Sequence, residues 1–380
     1  MERYTTASIG TFCFPSGTVP AYNGPMQFST NHYLNWYLVR ANRGDDAVNL
    51  HSSGMAALDP TSFHPDVGNP WTLPHRFEEA VAEWLDIPPD EVVATEGATG
   101  GNLLALLTLV EPGKEVLVES PMYEPMLRQA ERTNRVKRFH RRPEDGWALP
   151  MEEIVQAVGP ETGAVMLLEP CNPGGTHSRR EDVLALADEV GRHGGWLLVN
   201  EVYRQFSDHP TYHKAHPRIV VMSSLSKLAG TYWMRLGWLS ASADVCRILT
   251  DARFSHGTPT MLGCAYGLEV VPKLPALREA ARSISVEHLD HMAQWVSMTP
   301  GLEWTPPQGP GFASIALPEG IDDLTFAERL HDELGVLLVP GSLFEVSGSI
   351  RVSWLQAGNR LSEGLEGIST ALKRGFGRGT

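Results

Sequence analysis

The sequence is poor in cysteine and has no long apolar run. Its four cysteines, Cys13, Cys171, Cys246 and Cys264, lie far apart and form no Cys-x-x-Cys pair. This spacing argues against a zinc site or a disulfide framework and suits a reducing compartment. No apolar run reaches about 18 residues, and no basic segment precedes a short apolar stretch near the start. We therefore expect a cytoplasmic protein that does not enter a membrane.

Basic residues are also in deficit. The chain has 31 lysines and arginines against 45 acidic residues, which gives a formal net charge of -14. That balance argues against general nucleic-acid binding and against an anionic membrane surface, and its simplest meaning is solubility. With 380 residues, 42% of them hydrophobic, the chain can bury a large core and form one large domain with a smaller companion.

Strands and helices alternate over much of the chain. We predict strands at Glu91–Thr95, Glu115–Glu119, Val136–Phe139, Ala164–Glu169, Trp196–Glu201 and Ile219–Ser223, with helices between them. Helices between nearly continuous apolar strands indicate an α/β fold with a mainly parallel sheet covered by helices on both faces. Residues 300–380 return to short strands and helices, which predicts a smaller α+β unit. Parallel sheets place their sites at the carboxyl ends of strands.

Lys227 is the centre of the most informative stretch. It follows the apolar run Ile219–Met222 and the hydroxyls of Ser224 and Ser226, and Arg235 lies eight residues further on. Burial at a strand end favours the neutral amine that a Schiff-base lysine requires. The hydroxyls and the arginine could hold a phosphate, so the stretch suits pyridoxal phosphate (PLP), which carries both an aldehyde and a phosphate. Taken alone, such a lysine is more often an ordinary strand-end residue.

Two earlier strand ends carry matching features. Glu96–Gly101 joins a strand to a helix with small residues, Gly97, Ala98 and Thr99, whose N–H groups can approach an anion. Many such turns bind nothing. Tyr123 follows the next strand and could stack on a flat ring, although a half-buried structural tyrosine is equally consistent with the sequence.

Two later strand ends carry amides. Asn172, in an Asn-Pro-Gly-Gly turn, offers both a donor and an acceptor, although the same residues also form plain turns. Asn200 closes an apolar strand, where a buried amide needs partners, and Tyr203 follows three residues later. In the smaller unit, Arg351 could bind a carboxylate in a bidentate manner or lie at the surface.

In this order the pieces resemble the fold-type-I PLP enzymes, specifically the class I/II aminotransferase group, from about residue 45 to 375. The resemblance implies that Lys227 is the catalytic residue that carries PLP. It implies cofactor contacts from Gly97, Ala98, Thr99, Tyr123, Asn172, Asn200, Tyr203, Ser224, Ser226 and Arg235. It implies substrate contacts from Gly54, Asn172 and Arg351, the last after a Pro-Gly-x-x-Phe match at 340–344.

The resemblance also implies an assembly and a division of the chain. We expect a homodimer with shared active sites that acts on a small amino-acid-type substrate. Residues 1–50 would be an N-terminal segment of the small domain and dimer arm, 51–285 the large PLP-binding domain, and 286–380 the small domain. The family's tyrosine that reaches the partner subunit's phosphate has no match near residues 66–72, where Trp71 is the nearest aromatic residue.

Asn200 departs from the family, which has aspartate at this position. That carboxylate keeps the pyridine nitrogen protonated, whereas a neutral amide cannot. Transamination needs a proton at the former aldehyde carbon and should be weakened, whereas β-elimination or α-decarboxylation needs less delocalisation. We therefore favour a lyase-type step in specialised metabolism, in line with a short, distant resemblance to capreomycidine synthases. The alternatives are an aminotransferase whose Asn200 oxygen accepts from a pyridinium, and a PLP-sensing regulatory module.

Overall fold

The structure is a computed structural model that describes residues 31–41 and 46–378. Cys13 and most of the predicted N-terminal segment 1–50 lie outside the described residues. The three cysteines that are described, Cys171, Cys246 and Cys264, are free and buried. Within the described ranges no helix is both long and apolar enough to cross a bilayer.

A seven-stranded sheet forms the centre of the molecule. Its strands are β2 (Val92–Thr95), β3 (Glu115–Ser120), β4 (Arg135–His140), β5 (Thr162–Leu168), β6 (Trp196–Asn200), β7 (Ile219–Ser224) and β8 (Gly237–Ser240). They lie in the order β2-β8-β7-β6-β5-β3-β4, and β8 alone among them runs opposite to the other six. The predicted α/β fold with a mainly parallel sheet is confirmed.

Helices cover both faces of this sheet. They are α2 (Leu73–Leu85), α3 (Gly97–Leu109), α4 (Glu124–Thr133), α5 (Met151–Ala157), α6 (Arg180–Arg192), α7 (Leu225–Leu228), α8 (Ala243–His256), α9 (Met261–Val270) and α10 (Leu274–Met298). Successive residues of β3 point to opposite faces, so Val116 and Val118 enter one core and Leu117 the other. Burial on both faces explains why the strands are apolar throughout rather than alternating.

A smaller group of elements packs beside the sheet. It contains α1 (His32–Ala41), β1 (Val48–Asn49), β9 (Glu303–Trp304), β10 (Phe312–Ala316), α11 (Asp323–Leu334), β11 (Val336–Leu337), β12 (Val339–Pro340), β13 (Ser349–Ser353) and α12 (Leu361–Lys373). Strand β1 pairs with β11, so the chain before the large sheet joins the last part of the chain. We call these elements the small unit.

Some local predictions need correction. The sequence of residues 48–54 is typical of a short strand that ends on a glycine turn, but only Val48–Asn49 form a strand, because the following residues bond to side chains and to other loops. Lys227 does not close β7 itself but lies on the helical turn α7, which Ser224 caps. The proposed boundary at residue 285 falls inside α10, a single helix, so the division into domains at that point stays a prediction.

Candidate active site

A cavity of about 480 Å³ lies at the carboxyl ends of the parallel strands, where the sheet meets the small unit. All the residues predicted for the site except Gly97 line it. They are Gly54, Ala98, Thr99, Tyr123, Asn172, Asn200, Tyr203, Ser224, Ser226, Lys227, Arg235 and Arg351. Side chains up to 300 residues apart in sequence therefore meet at one place. A second cavity, of about 550 Å³ between α10 and α12, contains none of them.

Lys227 begins a short chain of hydrogen-bonding groups. Its Nζ donates to Ser53 Oγ over 3.0 Å, and Ser53 Oγ lies 2.8 Å from the hydroxyl of Tyr203. Burial alone would raise the pKa of Tyr203, but the positive charges of Lys227 and Arg351 and the hydrogen bonds to the hydroxyl outweigh it and lower the pKa. Amine, hydroxyl and phenol thus form a path along which a proton can move.

Gly54 lets the chain pass close to Lys227. The N–H of Met55 donates to the carbonyl oxygen of Lys227 over 2.8 Å. A Cβ on Gly54 would lie 3.1 Å from that oxygen and 3.2 Å from the Lys227 Cα. A side chain at Gly54 would therefore push away the turn that carries Lys227.

An anion cradle lies at the start of α3. Gly97, at φ 68°, begins this 13-residue helix, and no side chain caps its first turn. The guanidinium of Arg235 reaches the same point, since a Cβ on Gly97 would lie 3.1 Å from Nη2. Ser224 and Ser226 add hydroxyls, and Ser224 Oγ accepts from the Ser226 N–H over 3.3 Å. Free N–H groups, a helix N-terminus and an arginine suit a phosphate.

Tyr123 and Asn172 supply the groups expected for a flat ring. Tyr123 packs edge-on against Tyr33 at 5.7 Å between ring centres, and burial raises the pKa of Tyr123, so the phenol stays neutral. Asn172 is buried, and its Oδ1 accepts from Arg351 Nη1 over 3.0 Å. That bond leaves the Asn172 amide nitrogen as a donor for an oxygen in the cavity.

Arg351 is held rigidly on β13. It is 1% exposed, its Nη2 donates to the carbonyl oxygen of His51 over 2.6 Å, and its guanidinium lies 5.0 Å from the Phe344 ring centre. Within the described residues no carboxylate pairs with it, and its Nε has no partner. A buried, unpaired guanidinium is poised for an anionic ligand. Burial, followed by repulsion from Arg351 and His331, lowers the pKa of His51 to about 3, so that imidazole is neutral.

Asn200 ends β6 at the floor of the cavity. Its Oδ1 accepts from the N–H of Val202 over 3.2 Å, and its Nδ2 lies 3.7 Å from Met126 Sδ. Both Asn200 and Met126 line the cavity. The backbone N–H occupies one lone pair of that oxygen, so the alternative in which the amide oxygen accepts from a pyridinium stays a prediction.

Three further cavity residues were not predicted from the sequence. Ser53 links Lys227 to Tyr203, and Gln356 Nε2 donates to the carbonyl oxygens of Gly54 and Met55 over 2.8 and 3.0 Å. Asn102 lines the cavity fully buried, and neither its amide oxygen nor its nitrogen has a partner in the described part of the chain. An asparagine in an otherwise apolar helix was the one sign that could have pointed to it.

The residues present fit PLP. The amine, the anion cradle at α3, the amide donor of Asn172 and the aromatic Tyr123 correspond in kind to the cofactor's aldehyde, phosphate, phenolic oxygen and flat ring. The fit rests on this structure's own features: the glycine at the cradle that leaves room for Arg235, and the unpaired guanidinium and amide groups around the cavity.

Comparisons with known proteins agree with this geometry. The family model for aminotransferase class I and II matches residues 68–361. An aspartate aminotransferase of Thermotoga maritima is 30% identical over 300 residues, which cover 76% of this chain and 77% of that protein. An arginine–pyruvate transaminase of Pseudomonas aeruginosa is 28% identical over 300 residues, 74% of this chain and 75% of that protein. In fold, a PLP-dependent aminotransferase from Streptococcus suis superposes with a TM-score of 0.82 at 24% identity, over 93% of this chain and 100% of that one.

Proposed function

The chain belongs to the aminotransferase class I and II family, and we propose that it transfers the amino group of an α-amino acid to a 2-oxo acid. One amino acid and one oxo acid are consumed, and one of each is formed. The family uses PLP, so the enzyme is PLP-dependent. The observation that carries the proposal is the pairing, in one cavity, of the Lys227–Ser53–Tyr203 chain with the unpaired Arg351 guanidinium.

The roles follow from what each side chain can do. When bound, PLP supplies a conjugated ring that withdraws electrons from the bond broken at Cα. Lys227 Nζ would carry the cofactor and then move the proton at Cα. Ser53 and Tyr203 hold that amine in position through the 3.0 and 2.8 Å contacts. Arg351 would hold the α-carboxylate by two parallel N–H bonds, which fixes the orientation of the bond to be broken.

The charge of the cavity supports a substrate with an uncharged side chain. Its described lining contains Lys227, Arg235 and Arg351 but no aspartate or glutamate, so no carboxylate there could pair with a cationic substrate. Tyr33, Tyr37 and neighbouring residues of α1 form an aromatic and apolar wall. We propose apolar or aromatic amino acids as donors, in contrast to the arginine and aspartate in the names of the two relatives.

We further propose that the enzyme is a cytoplasmic homodimer. Three aromatic side chains of the described chain are widely exposed: Trp71 at 83%, Phe254 at 74% and Tyr232 at 65%. Tyr232 also lines the cavity, so a second copy that covered it would help to enclose the site. Sedimentation of the wild type should give a dimer, and Trp71→Glu should shift the equilibrium toward monomer. A monomeric wild type would overturn this assembly.

A lyase-type reaction in specialised metabolism is the second candidate. Asn200 favours it, because an amide provides no charge to stabilise a pyridinium and so weakens the electron withdrawal on which transamination depends. The two candidates differ in their products. Elimination releases ammonia and decarboxylation releases CO₂, whereas transamination releases neither and proceeds beyond one oxo acid per active site only when a second oxo acid accepts the amino group.

A panel experiment tests the proposal. Purified protein with PLP should absorb in the visible range, lose that band on borohydride reduction, and give a labelled Lys227 peptide. It should then convert aromatic or apolar amino acids to oxo acids in the presence of an acceptor. A label on another lysine would sink the assignment, and release of ammonia or CO₂ without an acceptor would favour the lyase.

A further inference from the structure

We propose that Asn200 donates a hydrogen bond to the pyridine nitrogen of PLP and thereby keeps that nitrogen unprotonated. The inference rests on the proposed function in one respect, namely that PLP is attached at Lys227. In a pyridine ring substituted like PLP, the aldehyde and the ring nitrogen lie at opposite positions. A ring attached at Lys227 therefore turns its nitrogen away from that lysine, toward other residues of the cavity.

The backbone fixes the orientation of the Asn200 amide. The N–H of Val202 can only donate, so the atom that it meets at 3.2 Å must be the amide oxygen. Exchanging the oxygen and nitrogen of the amide would oppose two donors and lose this bond. Nδ2, which can only donate, lies on the side of Met126, a residue that lines the cavity.

The Nδ2 group lacks a good acceptor. Its contact is the thioether sulfur of Met126 at 3.7 Å, a weak acceptor, although Asn200 is buried. A buried donor without a strong partner costs free energy, which a suitable ligand atom would recover. An unprotonated pyridine nitrogen is such an acceptor. A pyridinium would instead present its own N–H to the amide N–H.

The surrounding charge acts in the same direction. The described cavity lining has three cationic side chains and no carboxylate, so a positive charge on the ring nitrogen would have nothing to compensate it. Asn102, a lining residue whose amide atoms have no partner in the described part of the chain, is also neutral. Glu201, next in sequence to Asn200, is committed elsewhere. It accepts from the N–H of Tyr212 over 2.6 Å and pairs with Arg204 at 2.8 Å.

The consequence concerns the partition of the reaction. A ring with a neutral nitrogen would withdraw less electron density from Cα than a cationic ring. Return of the proton to Cα by Lys227, or loss of a leaving group, would then be favoured over transamination. The residue would thus set how much of the turnover ends in transamination. That role is separate from holding the cofactor, which the anion cradle and Lys227 perform.

The test is a spectrum of the holoenzyme loaded with PLP that is ¹⁵N-labelled in the ring. The wild type should give the chemical shift of an unprotonated pyridine at every pH where it stays folded. Asn200→Asp should give the shift of a pyridinium. Asn49→Asp, which adds the same charge to the lining from the small unit, should leave the nitrogen unprotonated.

A second measurement covers the case in which Asn200→Asp misfolds. PLP methylated on its ring nitrogen, a fixed cation, should bind the wild-type apoenzyme at least about tenfold more weakly than PLP does. A pyridinium shift in the wild type, or equal binding of the two cofactors, would overturn the inference while leaving the proposed function intact. If the label is not attached at Lys227, the proposed function fails instead.

Discussion

The cavity and the cluster around Arg141 treat buried charge in opposite ways. In the cluster, Arg141 pairs with Glu119 at 2.8 Å and with Glu169 at 2.7 Å, and all three side chains are at most 1% exposed. In the cavity, Arg235 and Arg351 face no carboxylate among the described lining residues. Charge is compensated where the protein needs only stability and is left open where anionic ligand groups are expected.

Polar contacts complete the cluster. Arg141 Nη1 donates to the Trp147 carbonyl over 3.1 Å and to Ser178 Oγ over 3.0 Å, and the N–H of Ser178 donates to Glu169 over 3.0 Å. These bonds hold the loop after β5, which carries Asn172. The cluster around Arg141, whose charges are paired, thus supports the cavity, whose arginines are not paired with carboxylates.

Removing the amine should have the largest effect. Lys227→Ala should reduce turnover below detection, because the side chain is proposed both to carry the cofactor and to move the proton. Borohydride reduction should then leave no labelled peptide. Lys137→Ala removes an exposed lysine that pairs with Glu115 and should retain both activity and label. Activity in Lys227→Ala would contradict the assignment.

Breaking the compensated cluster should affect stability. Arg141→Met leaves two carboxylates buried without a counter-charge, so we expect the free energy of unfolding to fall by about 3–5 kcal/mol. Urea denaturation measures this change. As a control, Arg135→Met removes an exposed pair with Glu161 and should cost less than about 1 kcal/mol. If Arg141→Met and Arg135→Met lowered the free energy of unfolding equally, the buried cluster would contribute no more to stability than an exposed ion pair.

Replacing the guanidinium of Arg351 by an amine should lower kcat/KM. Arg351→Lys keeps the charge but loses the planar guanidinium that can donate two parallel hydrogen bonds. We expect kcat/KM to fall roughly 30-fold, which corresponds to a loss of about 2 kcal/mol in transition-state stabilisation. Steady-state kinetics on an aromatic amino acid measures this loss, and binding of PLP should be unchanged. If the variant behaves like wild type, another residue holds the carboxylate.

Protonation of His51 at low pH adds a positive charge to the cavity and should have the smallest effect, a decrease in the free energy of unfolding. The pKa of His51 is about 3 in the folded protein, whereas the ordinary pKa of a histidine is 6.5, so the unfolded chain binds more protons between these values. Stability from neutral His51 is complete above pH 6.5 and is lost as the pH falls. One unit below 6.5 the loss should be about 1.4 kcal/mol.

The matched variant isolates this contribution. His51→Gln keeps a neutral polar side chain without a titrating group, so its unfolding free energy should fall less over the same pH interval. Denaturation curves of both proteins at several pH values give the difference. Identical pH dependence would mean that protonated His51 is tolerated beside Arg351.

The sequence predicted the strand ends well because these residues depend on local pattern. An apolar strand followed by Gly97, Asn172 or Lys227 can be recognised from neighbouring residues alone. Ser53 could not be recognised, since its value comes from meeting Lys227 and Tyr203 across 174 and 150 positions of sequence. The direction of the Asn200 amide was also inaccessible, because it depends on where the Val202 N–H points.

The short strand β1 shows the same limit. Residues 48–54 have a strand-like pattern, yet only two of them pair with β11. Beyond these, the chain is held by tertiary contacts, such as the bond from Ser353 N–H to the Leu50 carbonyl over 2.8 Å. No periodicity in the sequence records contacts of this kind.

The stretch from His51 to Ser53 limits the distance between the groups that contact Arg351 and Lys227. His51 holds Arg351 through its carbonyl oxygen at 2.6 Å, and Ser53 holds Lys227 through its hydroxyl at 3.0 Å. Two residues of chain span at most about 7 Å, so the proposed binding points for carboxylate and amine keep a limited separation. A substrate whose amino group lies one or two carbons further from its carboxylate could reach only one of Arg351 and Lys227 in the correct orientation. The enzyme should therefore discriminate against β- and γ-amino acids by length, whatever their side chains.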